Sequence, residues 1–118
     1  MSMARVGGAR RSALEQGILR DLCAAGAMTT EQVRRLRFPG SGVPTCRLRL
    51  AAMRARGLVA ELQCRWGHER QVVWLATERG AAAVGLSAPG TWDPSRFGPM
   101  LAAAEHFVEE TLARLTTP

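Results

Sequence analysis

The run Phe38-Pro39-Gly40-Ser41-Gly42-Val43-Pro44 constrains this chain more than any other segment, because paired prolines and glycines at that density cannot continue a helix. The periodic segments on either side must therefore be separate, short helices joined by a tight turn. Upstream, Leu14, Ile18 and Leu22 recur every fourth residue with Cys23 beside them. This predicts a helix capped by Ser12, with Glu15 three residues on, and ended at Gly26. Thr29 followed by Gln32 repeats the capping arrangement and opens a second helix through about Leu36, with Val33 and Leu36 turned inward. Beyond the break, Pro44 or Thr45 begins a third helix that ends at Gly57.

After Gly57 the period changes. Leu58, Ala60, Leu62, Cys64 and Trp66 alternate, as do Val73 and Leu75, so two strands flank a turn at Trp66-Gly67-His68-Glu69-Arg70. The expected fold is mainly α with a small β-hairpin: a winged helix-turn-helix over residues 12–86, followed by a C-terminal dimerisation helix. Residues 1–11 are rich in Gly, Ala and Arg without apolar periodicity and read as a flexible basic arm. Residues 87–98 carry the Pro and Gly of a connector. Within 99–115, Leu101, Ala104, Val108, Thr111 and Leu115 form a helical stripe that Phe107 and Leu112 broaden. That stripe is expected to pair with a second copy in a homodimer; the alternative is that it folds back on the first helix.

Charge is distributed unevenly. Residues 1–70 hold 13 arginines against 5 acidic residues, whereas residues 71–118 hold 3 against 5. The first part is the candidate polyanion surface. All 16 basic residues are arginine, whose rigid fork of donors suits phosphate, although an arginine-biased composition would also replace lysine without a functional reason.

Placing successive residues of the third helix about 100° apart puts Cys46, Leu50, Met53 and Gly57 on one inward face. The opposite side centres on Leu48, Ala51 and Ala55, flanked by Arg47 and Arg54 on one side and Arg49 and Arg56 on the other. A second phase, with Leu48, Ala52 and Ala55 inward, is less suited to filling a core, because long side chains fill it better than alanines. The expected partner is double-stranded DNA. Arg47 is placed to read a base edge and Thr45 to meet a base or a phosphate, since a recognition helix enters the groove by its N-terminal part. Arg49, Arg54 and Arg56 are further contacts or members of internal salt bridges. Arg34, Arg35 and Arg37 can reach phosphates from the second helix, while Arg65, His68 and Arg70 can do so from the hairpin, which is otherwise an ordinary solvated turn.

Other classes find less support. The two histidines, His68 and His106, have no nucleophile or carboxylate arranged with them, and Cys23, Cys46 and Cys64 form neither a metal-ligand pair nor a disulfide framework. No enzyme activity, metal, cofactor or small-molecule ligand is expected. No apolar run reaches the roughly 20 residues that span a bilayer and no signal-peptide pattern is present, so a cytoplasmic location is expected.

The stretches ILRDLCAAGAMTTEQVRRL, RLRLAAMRARGLVAEL and VVWLATERGAAAVGL together resemble the winged-helix module of the replication-relaxation family, proteins of actinobacterial plasmids and related elements. Thr30, Glu31 and Gln32, the run from Arg47 to Val59, and Leu75 to Gly80 carry the likeness most clearly. It covers roughly residues 13–86, with a weaker echo around Glu105 and His106. The architecture is also similar to MarR and PadR regulators. The resemblance implies a role in plasmid replication or transcription regulation; the alternative is an assembly adaptor that uses the same scaffold without reading DNA.

Overall fold

The computed structural model describes residues 2–66, 68–88 and 97–116, with side chains over 13–65, 68–88 and 98–115. The first helix, α1, runs Ser2–Ala25. Residues 2–11 of the arm expected over 1–11 are thus part of α1, and Ser12 lies within the helix instead of capping it. Met, Ala and Arg are good helix formers, and residues 2–11 contain no proline to stop the helix from extending toward the N-terminus. Ile18, Leu19 and Leu22 are fully buried on its inner face.

A two-residue strand, β1 (Met28–Thr29), leads directly into α2 (Thr30–Arg37). The capping box read from Thr29 and Gln32 is formed: the Gln32 amide donates to Thr29 Oγ1 at 3.2 Å, and the Thr29 amide donates to Gln32 Oε1 at 2.9 Å. The break at 38–42 separates α2 from α3 (Val43–Ala55), which Gly42 and Pro44 open. Cys46, Leu50 and Met53 are completely buried and Leu48 is exposed, as the first phase requires. The helix ends through Arg56 into Gly57, whose φ of 77° is left-handed; a side chain there would be strained.

Strands β2 (Val59–Trp66) and β3 (Glu69–Ala76) pair antiparallel, from Val59 opposite Ala76 to Trp66 opposite Glu69. The sheet has three strands where a two-stranded hairpin was expected, because Met28 and Thr29 pair with Trp74 and Val73 along the other edge of β3. The order β1-β3-β2 makes β3 central. Val73, Trp74, Leu75 and Ala76 are all buried, because Ala27 and Leu101 pack against Val73 and Leu75 on one face and the main core, with Ile18, Leu22 and Leu50, against Trp74 and Ala76 on the other. Trp74 places its indole N–H 2.8 Å from Thr30 Oγ1, joining sheet to α2.

Helix α4 (Glu78–Ala83) follows β3 directly. Thr77 caps it by accepting from the Gly80 amide at 3.0 Å, and its hydroxyl lies 2.6 Å from the Gly57 carbonyl. A Cβ on Gly80 would lie 2.0 Å from the Leu58 carbonyl oxygen, so α4 approaches the start of β2 by lacking one. The connector expected at 87–98 falls mostly on 89–96, outside the described residues.

The last helix, α5 (Phe97–Thr116), packs on its own chain. Leu101 joins Ala27, Val73 and Leu75 against one face of the sheet, with Leu62, Cys64 and Met100 around them. Ala104 and Val108 enter the main core with Ile18, Leu22 and Trp74, where Phe107 and Leu112 pack at the margin. Thr111 turns its hydroxyl back to the Phe107 carbonyl. The stripe expected to dimerise is thus consumed in cis: Leu101, Ala104 and Val108 have no exposed surface left for a partner, while Leu115 is 72% exposed. Among the described residues no helix is long and apolar enough to cross a membrane.

Candidate nucleic-acid interface

The arginines separate into two groups according to whether an acidic side chain answers them. Arg37 holds Asp21 through two bonds of 2.7 and 2.9 Å, tying the end of α2 to α1. Arg34 pairs with Glu31 one turn earlier at 2.5 Å and also donates to the Ser41 carbonyl at 3.2 Å, which fixes the turn before α3. Its hydrogen bonds draw the Glu31 carboxyl below its ordinary pKa. Arg54 reaches Glu61 of β2 at 2.5 Å. Arg49 and Arg56 converge on Glu15 of α1, Arg49 at 3.5 Å and Arg56 in a short contact, although Glu15 is only 7% exposed. Burying one carboxylate between two guanidiniums satisfies a charge that would otherwise be costly to desolvate.

Arg35 makes the remaining pair of the expected set. It meets Glu105 of α5 at 2.6 Å, and Gln32 donates both to Glu105 Oε1 and to the Leu101 carbonyl, each at 3.2 Å. The Arg35 hydrogen bond is the largest influence lowering the Glu105 pKa. Six of the predicted contacts, Arg34, Arg35, Arg37, Arg49, Arg54 and Arg56, are therefore occupied within the chain, and they brace the helices.

Arg47, Arg65 and Arg70 remain. All three are exposed and have no ion pair among the described residues. Arg47 lies in the first half of α3 beside exposed Thr45. Arg65 and Arg70 stand directly opposite each other in the hairpin, an arrangement that is repulsive when nothing anionic lies between like charges. Because side chains alternate along a strand, Arg65 shares a face with Gln63, Glu61 and Val59, and Arg70 with Val72, Trp74 and Ala76. That is the face on which α3 sits, since Val59 and Trp74 share a core with Cys46, Leu50 and Met53 and Glu61 receives Arg54. Arg65 and Arg70 thus project from the sheet face that the buried side of α3 packs against, and Arg47 from the exposed part of α3. His68 is exposed at the hairpin tip.

Burial raises all three thiol pKa values, that of Cys46 to about 11, so these groups stay protonated and poorly nucleophilic near neutral pH. Among the described residues no cluster of His, Cys, Asp and Glu is arranged to hold a metal ion. Sequence reasoning named Arg47, Arg65 and Arg70 but could not separate them from the bracing arginines, because the deciding partners, Glu15, Asp21, Glu61 and Glu105, come from other elements; it did not name Arg20, Arg79 and Arg114, which are likewise exposed and without an ion pair among the described residues. It also passed over Gln32 as the contact that fastens α5.

A comparison with curated proteins finds no match. A family model described as replication-relaxation matches residues 19–115. The matched segment takes in the end of α1, all of α2, α3, the sheet and α4, and nearly all of α5, so the likeness extends through the last helix beyond an echo around Glu105 and His106. The chain is a member of the replication-relaxation family.

Proposed function

We propose that this chain is a winged-helix protein that binds double-stranded DNA, with α3 as the recognition helix and the β2-β3 hairpin as the wing, in a role associated with plasmid replication or transcription regulation. The observation that carries this reading is the sorting of charge: acidic partners answer the bracing arginines but leave Arg47 exposed on α3 and Arg65 and Arg70 exposed side by side in the hairpin. In this reading Arg47 and Thr45 enter the major groove, while Arg65, Arg70 and His68 lie along a phosphate row. The reading assigns no catalytic step, cofactor or small-molecule ligand, and places the protein in the cytoplasm with its DNA. Pairing of two copies, which would set two recognition helices on adjacent half-sites, has to use surface other than Leu101, Ala104 and Val108; exposed Leu115 beside half-buried Phe107 and Thr111 is the part of α5 suited to it.

Anisotropy titration with random-sequence duplex over a range of salt concentrations tests this. Affinity is expected to fall steeply with salt, and Arg65→Ala with Arg70→Ala to flatten the log–log slope by ~1.8, the value for two lost phosphate contacts. A double variant with the parent's affinity and slope would make the hairpin purely structural. Failure of the parent to bind any duplex at low salt would leave the surface to an acidic protein partner.

A further inference from the structure

Leu48 stands apart from the rest of α3. It is 73% exposed although the other large apolar residues of the helix core, Leu50 and Met53, are completely buried. It lies two residues from both Cys46 and Leu50, which at the helical period puts it at the pole opposite the buried face. Around it on that pole are Ala51, Ala52 and Ala55, and Thr45 and Arg47 are exposed one turn or less away. Phe38, Thr45, Leu48, Arg49 and Ala52 line a shallow depression there. A leucine in this position contributes little to the core of its own chain, and the small alanines let the helix backbone come close to a partner.

The edges of bases in the major groove present donors and acceptors almost everywhere, and the one apolar group among them is the 5-methyl of thymine. Leucine against a guanine or cytosine edge would remove water from polar groups without replacing its hydrogen bonds; against the methyl it exchanges apolar surface for apolar surface. We infer that Leu48 is a specificity-determining residue that packs on a thymine 5-methyl group, an assignment that rests on the duplex-binding reading above. Arg47 beside it supplies the charge complementarity that brings this pole to the groove.

The test uses random-core duplexes selected on the full chain and on Leu48→Ala, followed by replacement of thymidine with deoxyuridine at each enriched thymine. One methyl is worth about fourfold in affinity. The parent is expected to bind the deoxyuridine duplex about fourfold more weakly at one enriched position, Leu48→Ala to bind both forms alike, and Leu48→Met to recover the preference. Circular dichroism of the variants should match the parent, since the side chain is outside the core. Selection without thymine enrichment, or equal binding of both forms by the parent, would overturn the assignment while Arg47→Ala still weakened binding and upheld the interface. Absence of binding to any duplex, with Arg47→Ala then changing nothing, would remove the DNA reading and this assignment together.

Discussion

Arg47 and Arg56 illustrate how little residue type alone decides. Both are exposed arginines of one helical segment, but Arg56 reaches back to Glu15 and Arg47 meets no acid among the described residues. Arg47→Ala is therefore expected to leave the fold unchanged and to cost roughly 1–3 kcal/mol of discrimination between a selected and a scrambled duplex, the range for a base-reading arginine. Equal loss on both duplexes, in the same titration, would make it a phosphate contact. Much of this scale was legible in the sequence where side-chain size decides: Leu50 and Met53 fill the core, and the alanines opposite do not. The pairings of Arg49, Arg54 and Arg56 were legible only as a possibility, because Glu15 and Glu61 are distant in sequence and reach them only once the fold brings α1 and β2 against α3.

At the scale of elements, punctuation was the reliable signal. The breaks at Gly26, 38–42 and Gly57 and the cap at Thr29 fall where helices start and stop. β1 was not legible, since two residues cannot display an alternating period, and the burial of β3 on both faces is set by α5 on one side and the core of the first three helices on the other. The apolar stripe of α5 showed that something covers it without saying what. Val108 is fully buried in its own chain, so Val108→Asp is expected to unfold the protein or detach α5, not to yield folded, separated copies. Val108→Ala should instead cost about 2 kcal/mol in chemical denaturation, with the mass from light scattering unchanged. A folded Val108→Asp of half the parent's mass would put this helix between subunits.

At the scale of the whole molecule, the contact of Arg35 and Gln32 with Glu105 closes the chain, joining α2 to an element about 70 residues later. Nothing in the local sequence around either end announces it. The Glu105 carboxyl titrates below its ordinary value of 4.5, chiefly because Arg35 donates to it. A carboxylate whose pKa is lowered by folding contributes its stability above the unfolded value and loses it as pH falls through the lowered one. The thermal midpoint is thus expected to drop on acidification below about pH 4.5, and Glu105→Gln to lower the midpoint near neutrality while making that drop shallower. Parallel curves for parent and variant in pH-dependent thermal scans would show that the contact adds nothing to the joining of α5. The grip of Glu15 on Arg49 and Arg56, two helical turns apart along α3, bears on the heat of association instead. With Cys46, Leu50 and Met53 fully buried and Glu15 paired with both arginines, the face that α3 turns inward is fixed by the fold, and with it the side from which Arg47 and Leu48 project. Encounter with a partner then requires no ordering of that helix, and its heat-capacity change should reflect only the surfaces that meet.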